Sequence, residues 1–407
     1  MDKRIRILLV IFSFDIEAIG GGISRFAVSL SEALDSTNFQ VFLCGLWNRG
    51  TQVETDRIKM LNDEGIHAFT CAPWNDQHPY HSFYESYRAL RLFLKSNPID
   101  IIHSHSLFGD IIALLLNFEG KAPTIIRTLH NELRTEWSRR PLRRLILTNF
   151  LYPLAFDVEI GVSQYITASL NQRWFARLLG RHAITIHNAL DIDRLKRVNH
   201  DRLGIKRELG IPENAFLVGS IGRLTKQKGF DVFLNAAAQV IKSSPEFHFI
   251  IIGDGEDANL LKQQANDLKI ENRILFTGSR SDVDRLITSL DLFVCSSRWE
   301  GLSTVILEAM AAGIPILATD IPGNRELLQS GISAWFVPVE NAGALADGMI
   351  SAFQDPGRRK EYAQNALKRI DSFRIEDIAK SYEQIYQIIC KDKKTIAGKS
   401  LQAGHSK

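Results

Sequence analysis

Short apolar runs alternate with amphipathic stretches from one end of the chain to the other. Residues 5–14, 39–46, 99–105, 122–130, 157–163 and 183–188 are apolar on both faces and of strand length. Patterns of helical period fall at 23–34, 83–95 and 108–118. The rhythm restarts with apolar runs at 215–222, 247–255, 273–279, 291–297 and 314–320. Strands without a polar face need cover on both sides, and repeated strand–helix units supply it. The pattern therefore predicts an α/β protein with two doubly wound parallel sheets.

A chain of 407 residues exceeds one typical core. The expected division is a first domain over 1–190, a charged linker over 191–212 and a second domain over 213–373. A helix over 374–390 should pack back toward the first domain, and the polar, basic stretch 391–407 reads as a disordered tail. With 45% hydrophobic and 23% charged residues the composition is that of a soluble globular protein, and a net charge of +3 gives no reason to expect nucleic-acid binding. Cys44, Cys71, Cys295 and Cys390 lack metal or redox spacing, which suits free thiols in a reducing compartment. Asp15 and Glu17 interrupt the first apolar run early, so it reads as a buried strand. No stretch approaches the ~20 apolar residues of a membrane span. The expected location is cytoplasmic.

Ligands of open α/β sheets bind beyond the carboxyl ends of the strands, so candidate chemistry is sought in those loops. Gly20, Gly21 and Gly22 follow the first strand and open a helix, where backbone amides suit an anion. They lack the full glycine fingerprint and acidic partner of a nicotinamide site. Arg223 and Lys228 flank a turn in the corresponding second loop, and two fixed cations there suit a diphosphate leaving group. His103 and His105 share a face at one strand end, and His130 ends the next. No suitable acid completes a metal set, so sugar contact or a proton relay is preferred, with no metal or cofactor expected. Asp191/Asp193 and Asp282/Asp284 have metal-pair spacing but precede helical patterns. They read as helix starts, Ser281 with Asp284 forming a capping box. Glu300 and Glu308 bracket the start of a helix kept slim by Ala309, Ala311, Ala312 and Gly313.

Arg223 and Lys228, then Glu300-Gly301-Leu302-Ser303 and Glu308, resemble the retaining GT-B glycosyltransferases of family 4. Residues 20–26, 103–105, 162–163, 188–191, 222–229, 253–255 and 322–327 extend the resemblance over nearly the whole chain. Within the family it looks like enzymes of capsular or exopolysaccharide biosynthesis. The resemblance implies two Rossmann-like domains facing a central cleft. It also implies metal-independent, retaining hexosyl transfer from a nucleotide diphosphate sugar, UDP-linked by preference, to a glycan or lipid-linked acceptor. Arg223 and Lys228 would stabilise the leaving diphosphate, Glu300 would contact the donor sugar and Glu308 the ribose hydroxyls. Gly301 and the amides of Leu302, Ser303 and Thr304 would face sugar and phosphate. His105 would lie near the reacting sugar, Gly21 and Gly22 near donor phosphate and acceptor, and His130, Asn188 and Gly253 would complete the substrate-binding set. Asn188-Ala189 departs from the family's usual Asn-Gly. A sugar-nucleotide epimerase on the same fold and a non-catalytic nucleotide-sugar sensor are the alternatives.

Residues 134–156 carry Arg134, Arg139, Arg140, Arg143 and Arg144 against Glu136, interleaved with Trp137, Leu142, Leu145, Ile146 and Phe150. Two readings stand: a surface helix whose apolar stripe packs on the first domain, or an interfacial segment on anionic headgroups. The second predicts a peripheral protein on the inner face of a bacterial cytoplasmic membrane.

Overall fold

The computed structural model describes residues 4–15, 21–75, 77–122, 124–131, 145–196 and 201–403, with side chains as far as Lys391, Lys196 excepted. The chain divides into two compact units. One holds the described residues up to Asn188 together with those from Ile375 onward, and the other spans Ala189–Arg374.

The first unit is built on a parallel sheet of β1 (Ile5–Ile11), β2 (Phe39–Asn48), β3 (His67–Pro73), β4 (Ile101–Ser104), β5 (Ile125–Leu129), β6 (Val158–Gly161) and β7 (Ile184–Thr185). Its order is β3-β2-β1-β4-β5-β6-β7. Ile7 through Ile11 are wholly buried, as a central strand covered on both faces requires. The second sheet comprises β8 (Phe216–Ile221), β9 (Phe247–Ile252), β10 (Ile274–Phe276), β11 (Leu292–Cys295), β12 (Ile316–Thr319) and β13 (Trp335–Val337), in the order β10-β9-β8-β11-β12-β13. All six β8 residues are buried. Phe233, Phe249, Leu292 and Met349 belong to the core beside it.

Four helices matter below: α1 (Gly21–Ala33), α2 (Leu107–Phe118), α3 (Thr304–Ala311) and α4 (Ile375–Ala403). Side-chain caps fix where two of them begin. Ser106 Oγ accepts from the Gly109 amide and Ser303 Oγ from the Ile306 amide, satisfying donors that a helix N-terminus leaves open.

Several expectations need correction. The apolar-run pattern omitted β3 and β13, one edge strand of each sheet. Residues expected to form a linker instead form the helices Ile192–Lys196 and Arg202–Glu208 within the second unit. Ile205 is buried there, and Lys206 Nζ donates to the Ala215 carbonyl at 2.7 Å and pairs with Asp291. The final helix does not stop at residue 390 but runs to Ala403; residues 404–407 lie outside the described set. Ser281 and Asp284 form no capping box, because Asp282 holds the N-cap position and its carboxylate is drawn to Arg280 and Arg285.

Candidate active site

The strand order of each sheet reverses once, and both candidate clusters lie beyond that point. In the second unit the reversal separates β8 from β11. The loop after β8 carries Arg223 and Lys228; the loop after β11 carries Ser296 to Glu300. Gly229 joins them by close approach: its φ is +65°, and a Cβ would lie 2.2 Å from the Ser296 carbonyl oxygen. Ser296 Oγ donates to the Lys228 carbonyl at 2.8 Å. Arg298 completes the clasp. Its amide donates to the Gln227 carbonyl at 2.8 Å and its guanidinium to the Lys226 carbonyl at 2.7 Å. The same guanidinium binds Asp231 bidentately at 2.8 and 2.7 Å and pairs with Glu340.

This scaffold brings Lys228 and Glu300 together. Lys228 Nζ lies 2.5 Å from Glu300 Oε1, which also accepts from Ser297 Oγ at 2.8 Å. Burial pulls the Lys228 pKa down, but the Glu300 carboxylate outweighs it and leaves the ammonium above its ordinary value. Arg223 is exposed and has no ion pair among the described residues. Glu308 is buried on α3, where every residue from Val305 to Ala311 is buried. Gly301, Leu302 and Ser303 are buried at the entry to that helix and Thr304 is its first residue. The Ser303 hydroxyl is committed to the cap. Gly253 has a packing requirement of its own: at φ +135°, a Cβ would fall 2.1 Å from the Gly222 carbonyl oxygen.

In the first unit the order reverses between β1 and β4. Gly21 and Gly22 are the first residues of α1; residues 16–20 before them lie outside the described set. The His105 amide donates to the Val10 carbonyl at 2.9 Å, tying the end of β4 to β1. His105 Nδ1 lies 3.2 Å from His130 Nε2, and the Asn188 amide beside His130 works against burial by favouring the charged ring. Phe26 of α1 packs against both rings, at 5.9 and 5.7 Å. His105 Nε2 has no protein partner among the described residues. Burial holds all three imidazoles neutral: His103 and His130 are lowered to about 3, and His105 lies well below the usual value. Asn188 is buried, and the alanine after it does not need a glycine's freedom, because positive φ among non-glycine described residues occurs at Lys269 and Glu340 alone.

The paired aspartates are engaged elsewhere. Asp191 Oδ1 accepts from the Arg194 amide at 2.8 Å, Asp193 pairs with Arg374, and Asp284 with Arg194. Arg298, Ser297 and Gln227 were missed in the sequence; only their nearness to Glu300 and Lys228 along the chain hinted at them. Tyr382 and Tyr386 gave no signal at all. The arginines and Trp137 of the 134–156 segment lie outside the described residues through residue 144.

Residues 20–194 match the family model "Glycosyltransferase Family 4", and residues 201–369 match "Glycosyl transferases group 1". An N-acetyl-alpha-D-glucosaminyl L-malate synthase of Bacillus anthracis is 28% identical over 302 residues, 73% of this chain and 76% of that protein. A UDP-Gal:alpha-D-GlcNAc-diphosphoundecaprenol alpha-1,3-galactosyltransferase of Escherichia coli is 25% identical over 282 residues, 66% of this chain and 70% of that one. HepE of Anabaena, solved with UDP and glucose, superposes with a TM-score of 0.78 at 21% identity, over 94% of this chain and all of HepE. That last likeness concerns the fold alone. With two Rossmann-like units and two glycosyltransferase models matched in tandem, the chain belongs to the GT-B glycosyltransferases of family 4.

Proposed function

We propose that the protein transfers a hexosyl group from a UDP-sugar, with retention at the anomeric carbon and without a metal ion, to a lipid-linked or glycan acceptor in surface polysaccharide assembly. The observation that carries this reading is the pair of half-buried Lys228 and buried Glu300 beyond β8 and β11, with Arg223 exposed on the same loop. As the diphosphate departs, Lys228 and Arg223 neutralise its growing charge, while Glu300 holds the donor sugar and Glu308 the ribose. His105 presents Nε2 to a sugar hydroxyl. Positioning and charge stabilisation supply the rate, and the leaving phosphate helps to take the acceptor proton. The undecaprenol-linked acceptor named for the Escherichia coli relative supports a lipid-linked substrate. NMR of the product decides the stereochemistry: an inverted anomer ends the retaining assignment. Release of an epimerised sugar without acceptor would favour the epimerase.

A second observation supports work at a membrane. Leu145, Ile146 and Leu154 are exposed, and Trp174 and Leu178 on a neighbouring short helix are 58% and 72% exposed. Trp174 stacks edge-on to Phe150 at 5.5 Å, joining the two elements. Arginines 177 and 181 flank the apolar group, a composition suited to anionic headgroups. Among the described residues no helix is long and apolar enough to cross a membrane. The full chain should co-sediment with anionic vesicles and lose that binding when Trp174 and Leu178 become Ser. Equal binding to neutral vesicles would exclude the headgroup account.

A further inference from the structure

The last helix returns to the first unit and places two tyrosines one turn apart against the histidine cluster. Tyr386 Oη lies 2.6 Å from His103 Nδ1, and Thr128 Oγ1 lies 2.8 Å from His103 Nε2. Tyr382 Oη lies 3.2 Å from the same Thr128 hydroxyl. Both ring nitrogens of His103 are thus committed within the protein, so it has none to offer a substrate. It serves as a floor: the His103 and His105 rings lie 4.2 Å apart. Phe26 packs against His105, His130 and Tyr382, closing the other side. His105 is therefore held by ring contact with His103 and by His130, and His103 is held by α4.

We propose that Tyr382 and Tyr386 are positioning residues for His105, acting through His103 and Thr128, so that the C-terminal helix is part of the site rather than a strap around the fold. The inference rests on the reading of His105 as a sugar contact. Loss of the Tyr386 hydroxyl leaves His103 Nδ1 without its partner, and loss of the Tyr382 hydroxyl frees the Thr128 hydroxyl that holds Nε2; in either case the ring has more than one resting place. Small misplacements of a contacting group are costly to catalysis.

The test compares Tyr386→Phe and Tyr382→Phe, each alone and combined with His105→Ala, in the full chain. Each tyrosine change should lower kcat about tenfold while leaving the donor KM within about twofold. In the His105→Ala background neither should lower kcat further, because groups acting through one residue are not additive. Additive losses, or a fall in melting temperature with kcat intact, would overturn the proposal. Imidazole NMR gives a readout independent of turnover. The His105 ring resonances should shift or broaden in Tyr386→Phe, and unchanged resonances in both variants would also overturn it. If His105→Ala keeps full kcat, the sugar-contact reading fails, while the ring resonances still decide the positioning.

Discussion

The two candidate clusters occupy corresponding places beyond the sheet reversals, yet they are made of opposite chemistry. The cluster beyond β4 and β5 consists of neutral groups, all buried: three imidazoles, a threonine and two tyrosines joined by hydrogen bonds, with the Asn188 amide beside His130. The cluster beyond β8 and β11 consists of opposed charges, Lys228 against Glu300 and Arg298 against Asp231 and Glu340. Burial explains the difference. A neutral imidazole survives desolvation, whereas a buried ion persists only beside a counter-ion. On the proposed reading the donor diphosphate meets two kinds of cation: Arg223 keeps its charge by exposure, and the less exposed Lys228 by pairing with Glu300. A sugar hydroxyl needs a directed hydrogen bond, which a neutral ring supplies.

Breaking the charged cluster should have the largest effect. Lys228→Ala removes the proposed leaving-group cation and leaves Glu300 without its ammonium. Turnover should fall by about 10²–10³-fold, and stability by about 3 kcal/mol or less, because Lys228 keeps some solvent contact. Lys228→Met/Glu300→Gln should recover most of the stability and none of the activity. Recovery of turnover would show that the pair is structural only.

The neutral cluster is tested by acid. His103 and His130 titrate at about 3 when folded, against about 6.5 when exposed. Unfolding therefore takes up protons between those values, and the stability present above pH 6.5 is lost as pH falls toward 3. Asp110 works against this. Burial, partly offset by Arg127, raises it to about 6, so its contribution is lost as pH rises through 6. Three histidines outnumber one aspartate, so the melting temperature should fall steadily from pH 6.5 to 4.5. A flat profile would mean that the rings are already charged or solvated.

Arg298 sharpens the comparison at smaller scale. Lysine cannot reproduce its bidentate grip on Asp231 while reaching Glu340 and the Lys226 carbonyl. Arg298→Lys should cost about tenfold in kcat with a modest rise in donor KM, because the loops bearing Lys228 and Glu300 lose their clasp. A change in melting temperature alone would reduce Arg298 to a stabilising residue.

The parts legible in the sequence share a local signal. Central strands such as β1 and β8 read plainly because burial on both faces demands an unbroken apolar run. Of the edge strands, β7 and β10 fell within apolar runs but β3 and β13 did not: β3 is exposed at both ends, only half-buried over residues 69–71, and contains His67 and Thr70. The segment after Asn188 looked like a linker because its charges are conspicuous, but those of Lys206 and Arg202 are answered by Asp291, 85 and 89 residues away. Arg223, Lys228, Glu300 and Glu308 were visible through spacing and resemblance. Arg298 and Tyr386 were not, since their meaning lies in contacts across the fold: Arg298 with Asp231 is 67 residues apart and Tyr386 with His103 is 283.

The smallest expected effect concerns the aspartates with metal-pair spacing. Asp282 accepts from Arg280 at 2.7 Å and Arg285 at 3.0 Å, and Asp284 is taken by Arg194. These carboxylates are partly exposed, and such pairs contribute about 0–1 kcal/mol. Asp282→Ala should therefore shift stability by that amount and leave turnover within about twofold, far less than Arg223→Ala, which removes a cation from the diphosphate's path. If two protein cations answer the leaving group's charge, as proposed, turnover should also persist in EDTA. Loss of activity on chelation, restored by Mn²⁺ or Mg²⁺, would break the scheme at its centre. The charge on the diphosphate would then be met by an ion, and Lys228 would be left to orient Glu300.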